Sequence, residues 1–324
     1  MKILVTGAYG QLGRCIYDIV YETFTYKNNE YIFASHYEFD ITDIGSMEKY
    51  FFYNPDIECI INCAAYTNVD GAEKDPYTAF YVNSKGVQNL VQFCEKYDIM
   101  LFHISTDYVY KDGQGICNEE SEIDPINIYG QSKRDGEIHI INSKLKHWYI
   151  FRTSWLYSEY PDNFFTKILE QCYHCYHSFD NLIVVDDEIG SPTYAKSLAE
   201  LIICIIEHGY YATTLKSGIY NTSGNGMASR YDFAVNIIAG GYHIKVNDTE
   251  LHINIPIYPI KQTDLNLPVK RPHCIIMDNK KIYNYIPVAM DHWLYDLSKC
   301  INNYENNLNH KIKEYRIMYG KDLY

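Results

Sequence analysis

Along the first half of the chain, apolar residues fall in short continuous runs, separated by stretches in which they recur every three or four positions. The runs are Ile3–Thr6, "YIFAS" (31–35), "CIINCAA" (59–65), "MLFHIS" (100–105) and "WYIFRTS" (148–154). Runs of this length suit strands buried on both faces. Between them, Leu12 to about Tyr21, "IGSMEKYFFY" (44–53), Tyr77–Tyr97 and Ile128–Ser143 read as helices with one apolar face. Alternation of this kind predicts an α/β fold with a doubly wound parallel sheet, whose ligands sit at the carboxyl ends of the strands. Beyond Ser154 the alternation loosens and proline becomes more frequent. Helices are expected at 163–173 and 195–207, with short strands at 182–185 and 218–221. The chain is therefore divided at Ser154–Pro161 into residues 1–160 and a C-terminal, mainly substrate-binding region, 161–324, that returns short strands to the sheet.

Composition narrows the partners. A formal charge of −13 argues against a nucleic-acid or anionic-membrane binder, because phosphate contacts need a surplus of Lys and Arg. It leaves room for a nucleotide ligand, which needs only a few local donors. Ten cysteines in no regular framework, with no secretory leader, point to reduced thiols in a cytoplasmic protein. No apolar run is long enough to span a membrane.

Candidate chemistry begins at "GAYGQLG", where Gly7, Gly10 and Gly13 follow the first strand and open the first helix. Glycine allows the tight turn and close approach to a pyrophosphate, and the helix N-terminus adds amide donors and a positive dipole. This context makes residues 1–160 an NAD(P)-binding domain of Rossmann type. The second strand ends in Ser35-His36, where an NAD-selective enzyme usually carries an acid for the adenine ribose. With no carboxylate there to repel a 2′-phosphate, NADPH is the expected cofactor and NADH is also acceptable. Asp40 and Ile41 fall where they border an adenine. Ala64, Ala65 and Tyr66, ending the third strand, let a cofactor lie against the backbone.

Among 34 tyrosines, three stand four residues before a lysine: Tyr81/Lys85, Tyr129/Lys133 and Tyr295/Lys299. Spacing alone does not choose among them. Tyr129 and Lys133 follow a strand that ends in Ser105-Thr106-Asp107 and share one face of the next helix. A phenol near pKa 10 is a poor acid or base at neutrality, and a neighbouring ammonium lowers it. Thr106 offers a hydroxyl to the same substrate oxygen. Tyr129, Lys133 and Thr106 are thus the catalytic candidates.

The segments "MKILVTGAYGQLG", "INCAAYTNVDGAEKDP", "STDYVYKDG", "YGQSKRDGE", "RTSWLY" and "DEIGSPTYAKSLAE" occur in order from Met1 to about Asn279. Together they resemble dTDP-4-dehydrorhamnose reductases, which are extended short-chain dehydrogenases/reductases. The resemblance implies that Gly10, Gln11, Leu12, Asp40, Ile41, Ala64, Ala65, Tyr66, Tyr129 and Lys133 bind the dinucleotide. It further implies that Thr106, Asp107 and Trp155 meet a dTDP-linked 4-keto-6-deoxy sugar, with Tyr129 as the proton donor. Reduction of another 4-keto nucleotide sugar is an alternative, as is a regulatory subunit resembling that of methionine adenosyltransferase.

The chain also departs from that pattern. Some members bridge two subunits through magnesium, and the corresponding positions here are Cys15 and Lys196, so no metal site is expected. Assembly is then as a monomer or a metal-independent homodimer. Ile275 replaces a serine of the family pattern, while Arg271 remains a candidate diphosphate contact. "CYHCYH" offers zinc-type ligands at Cys172, His174, Cys175 and His177, but on a helix the four cannot all point one way. The amphiphilic tail after about Lys299 has no readable role.

Overall fold

The computed structural model describes residues 1–22, 28–178, 180–241, 245–246, 249–250, 255–265 and 268–319. Two compact units emerge, and the chain passes between them more than once. The first comprises Met1–Ser154, Ala195–Ser223 and Leu267–Met290, and the second Trp155–Tyr194, Gly224–Asn266 and Asp291–Tyr324.

In the first unit, β1 (Lys2–Thr6), α1 (Gln11–Glu22), β2 (Glu30–Ala34), α2 (Ile44–Tyr53) and β3 (Ile57–Asn62) alternate as the apolar pattern requires. The region expected as one helix over 77–97 is instead α4 (Pro76–Phe80), a π-helical turn (Tyr81–Gly86) and α5 (Val87–Tyr97), preceded by the short α3 (Val69–Lys74). Then follow β4 (Met100–Thr106), β5 (Gly115–Cys117), α6 (Ile128–Ile141) and β6 (Trp148–Thr153). The six-stranded sheet runs in the order Gly218–Asn221, β6, β4, β3, β1, β2, and every pairing is parallel. The return strand Gly218–Asn221 thus extends the sheet beyond β6. Ile3, Leu4 and Val5 are wholly buried, because helices cover both faces of a sheet of this kind.

Local chemistry sets the helix starts. Asp43 accepts from the Gly45 amide at 2.8 Å to cap α2. Asp75 caps α4 ahead of Pro76, whose missing N–H would have had no helical partner. Asn127 Oδ1 accepts from the Gly130 amide at 2.9 Å, while Glu73 Oε1 takes the Ile128 amide at 2.8 Å. Two orphan donors at the start of α6 are thereby satisfied.

The second unit has its own core, in which Tyr157, Phe165, Phe233, Trp293 and Leu297 pack together. Its strand Leu182–Val185 pairs in parallel with Ile257–Ile260. The expected helix over 163–173 extends from Phe164 to Ser178. Within it Cys172 is buried and His174 exposed, and burial pushes the Cys172 thiol up to about 12. The side chain of His177 lies outside the described residues. Among the described residues no group of three His, Cys, Asp or Glu side chains is placed to hold a metal. The last helix runs from Trp293 to Tyr319, and the side chains of the tail beyond residue 307 lie outside the described ones.

Candidate active site

The strand-to-helix turn after β1 is built on glycine for steric reasons. Gly7 adopts φ +63°, and a Cβ there would lie 2.7 Å from the Ala64 amide nitrogen. A Cβ at Gly13 would lie 2.6 Å from the Gly7 carbonyl oxygen. At Gly10 the nearest atom would be that same oxygen, at 3.2 Å, so its outer side stays open. The Gly10 amide donates to the Gly7 carbonyl at 2.9 Å, which closes the turn in front of α1.

A cavity of about 430 Å³ opens from this turn across the ends of β1, β2 and β3. Gly7, Gly10, Asp40, Ile41, Ala64 and Ala65 line it, as do Ser35, His36 and Cys63. Of the other candidates for this site, Leu12 is only 4% exposed, so its side chain belongs to the core and only its backbone is left for a ligand. Gln11 begins α1, and Gly13 is buried behind Gly7. Tyr66 is fixed by its backbone, its amide donating to Asn83 Oδ1 at 2.8 Å and its carbonyl accepting from Asn83 Nδ2 at 2.9 Å. Asn83 lies in the π-helical turn and also donates to Ser132 Oγ on α6 at 3.0 Å. Sequence reasoning missed Asn83, because a π-helical turn has the same apolar pattern as the helix around it.

The end of β2 differs from the expectation in one respect. Neither Ser35 nor His36 is acidic, yet a carboxylate is present. Glu38 folds back and its Oε2 accepts from both the Ser35 amide and the Ser35 hydroxyl, each at 2.8 Å. The signal was in the sequence as Ser-x-x-Glu, a capping-box spacing.

A second cluster stands where β4 ends and α6 begins. Thr106 and Asp107 are 6% and 3% exposed. Asp107 accepts from Thr106 Oγ1 at 3.1 Å and from Ser154 Oγ at 2.7 Å. Tyr129, in the first turn of α6, packs edge-on against Tyr108. Burial raises its phenol above the ordinary 10.0, and the nearby Thr106 hydroxyl opposes this while Asp107 and Tyr108 add to it. Lys133 is 2% exposed and donates from Nζ to the Ile104 carbonyl at 2.6 Å. Burial lowers its ammonium from 10.5 to about 8, although Glu137 and Cys63 pull it back up. The ammonium was expected to depress the phenol; in this structure it is turned to a backbone carbonyl, and desolvation decides the shift. Cys63 lines the cavity and interacts electrostatically with Lys133, so the two clusters adjoin.

The other two tyrosine–lysine pairs lack such surroundings. Tyr81 and Tyr295 are exposed, and the lysines bond Gln88 and Asp291.

What holds α6 in register is a buried ion pair. Arg152 on β6 donates from Nε and Nη2 to the two Glu137 carboxylate oxygens at 2.8 and 2.7 Å. Ser105 Oγ on β4 adds a bond of 2.6 Å to Glu137, and Arg134 Nη1 another of 2.9 Å. Both partners stood in the segments "YGQSKRDGE" and "RTSWLY", so the signal was present, although its structural role was not. Arg271, a candidate for diphosphate, donates from Nη2 to Asp70 at 2.9 and 3.0 Å.

In the second unit, Trp155 adopts φ +45°, a conformation that bulky residues rarely tolerate. The indole is held on two sides. A Cβ on Gly190 would lie 2.5 Å from its Cε2, and the Arg230 guanidinium sits 3.6 Å from the ring centroid. Arg230 is itself steadied by Glu188, 3.4 Å away. Cys15 is wholly buried and Lys196 partly exposed, which leaves neither position a carboxylate for a metal.

Comparison with known proteins places this geometry. A family profile described as the RmlD substrate binding domain matches residues 1–306. A dTDP-4-dehydrorhamnose reductase of Aggregatibacter actinomycetemcomitans is 34% identical over 296 residues, which is 90% of this chain and 95% of the relative. Among solved structures, a dTDP-4-dehydrorhamnose reductase of Clostridium acetobutylicum superposes with a TM-score of 0.80 at 30% identity, covering 94% of this chain and 99% of the other. A dTDP-4-dehydrorhamnose reductase of Bacillus anthracis in complex with NADP also reaches a TM-score of 0.80, at 29% identity, over 93% of this chain and 99% of the other.

Proposed function

Because this chain belongs to the RmlD substrate binding domain family, we propose that it reduces the 4-keto group of dTDP-4-dehydro-L-rhamnose to give dTDP-L-rhamnose, with NADPH as cofactor. The observation that carries this reading is the gathering of Thr106 and Asp107, at the carboxyl end of β4, with Tyr129 and buried Lys133 one turn apart on α6. The glycine turn fits a dinucleotide, because Gly7 and Gly13 have no room for a Cβ while Gly10 leaves its outer side open. Gly7, Gly10 and Gln11–Gly13 would hold the pyrophosphate, Asp40 and Ile41 the adenine, and Ala64–Tyr66 the remaining ribose. When bound, NADPH supplies the hydride that goes to the carbonyl carbon.

The protein's own residues manage the proton. With its pKa raised above 10.0, Tyr129 is protonated at neutral pH and ready to donate to the oxygen on which charge develops. Thr106, whose hydroxyl donates to Asp107 at rest, would turn it to that oxygen and so orient it. Lys133 is an ammonium at pH 7, since its value of about 8 lies above it, and it would reach the phenolate one turn away on α6 only by leaving the Ile104 carbonyl. Asp107 is the first unit's candidate for contact with the sugar nucleotide and Trp155 the second unit's. Among the described residues no helix is long and apolar enough to cross a membrane. Ten free thiols favour a cytoplasmic setting, and assembly as a monomer or metal-free homodimer fits Cys15 and Lys196.

The test is to follow loss of reduced-nicotinamide absorbance across dTDP- and UDP-linked 4-keto sugars. Fastest turnover is expected with dTDP-4-dehydro-L-rhamnose. Cofactor binding without turnover of any 4-keto sugar would leave only the binding-subunit alternative.

A further inference from the structure

We propose that Glu38 is the residue that sets this chain's choice between NADH and NADPH, by holding a negative charge on the two donors that a 2′-phosphate would need. The inference rests on the dinucleotide reading of the cavity above. Ser35 lines that cavity where β2 ends, the place where doubly wound folds meet the adenine ribose. It is 7% exposed and offers an amide and a hydroxyl, the pair of donors suited to a phosphate oxygen. Both are taken by one oxygen of Glu38 at 2.8 Å. The acid comes from three residues beyond Ser35, so a reading of positions 35 and 36 alone does not see it.

The consequence is specific to charge. A 2′-phosphate at Ser35 must either displace the Glu38 carboxylate or lie beside it, and two anions at such range repel. A free 2′-hydroxyl meets no such penalty and can itself donate to a carboxylate. Glu38 is exposed and sits on a turn, so its side chain can swing into solvent, and its charge weakens NADPH binding without barring NADPH as the cofactor. The imidazole of His36 is exposed at the cavity rim, its ring centroid 3.7 Å from that of Tyr37 in a tilted contact, and among the described residues lining the cavity it is the one basic side chain. The simpler reading makes Glu38 only the far half of a capping box on the turn Ser35–Glu38. Under that reading the charge has no effect on cofactor choice.

Glu38→Gln separates the two, because it keeps an acceptor for Ser35 and removes the charge. Dissociation constants for NADPH and NADH, and for adenosine 2′,5′-bisphosphate and 5′-AMP as fragments, are measured by titration on wild type and variant. Each pair differs by the 2′-phosphate alone, and the ratio within a pair does not depend on the fraction folded. The ratio is expected to move towards the 2′-phosphorylated member by about tenfold, the order of effect of one like charge near a partly exposed phosphate. A ratio unchanged within twofold, with both cofactors still bound, overturns the specificity role and leaves the dinucleotide reading intact. If no nucleotide binds wild type, the dinucleotide reading itself fails and takes the inference with it.

Discussion

Tyr129 and Lys133 show how burial rather than spacing sets the chemistry of a residue. The phenol stands above its ordinary pKa because it is desolvated beside Asp107, so it is a proton donor at rest. Tyr129→Phe keeps the ring against Tyr108 and removes the proton. Turnover should fall by at least about 10² with NADPH affinity nearly unchanged, and near-wild-type turnover would remove Tyr129 from the reaction. Lys133 gives a test in pH. Its folded value of about 8 lies below the unfolded 10.5, so between these the unfolded chain binds more protons, and stability rises with pH across that window. Lys133→Met carries no such group. The stability difference between wild type and variant should therefore change by roughly 3 kcal/mol between pH 7.5 and 11, measured by urea unfolding. A flat difference would show that the lysine is not desolvated.

At the scale of elements, the site depends on α6 lying tight against the π-helical turn. Gly136 makes that contact, since a Cβ there would run into the Asn83 carbonyl oxygen. Asn83 in turn holds both backbone groups of Tyr66. Gly136→Ala should push the two elements apart, at a cost of about 1–3 kcal/mol. Cofactor affinity should fall along with stability, because the loop carrying Ala64–Tyr66 hangs on Asn83. A variant that loses stability but binds NADPH as wild type does would show that the loop is held some other way. The helix periodicity over 77–97 was legible, but the π-helical turn within it was not. One extra residue per turn hardly disturbs the apolar pattern, while it turns Asn83 inward.

At the scale of the whole molecule, cofactor binding should appear as stability. NADPH at one hundred times its Kd should add about 2.7 kcal/mol to the unfolding free energy, readable as a rise in Tm that scales with cofactor concentration. Light scattering should give the same mass with and without a chelator, since Cys15 is wholly buried and Lys196 is basic. A chelator-dependent loss of mass would require a metal held by other residues.

The sequence by itself determined the alternation of strands and helices, the glycine turn, and the placing of Tyr129 and Lys133 one turn apart on a helix. Each rests on near neighbours in the chain: the period of apolar residues, the room a glycine leaves, the i to i+4 geometry of a helix. Only the tertiary structure decided that Lys133 bonds the Ile104 carbonyl, that Glu137 and Arg152 clamp α6 to the sheet, and that Glu38 reaches back to Ser35. It also decided that residues 195–223 and 267–290 rejoin the first unit. These features depend on desolvation and on partners up to some 200 positions apart, as with Asp70 and Arg271. No local pattern records such pairs, because the energy that selects them exists only once the chain has folded and excluded water.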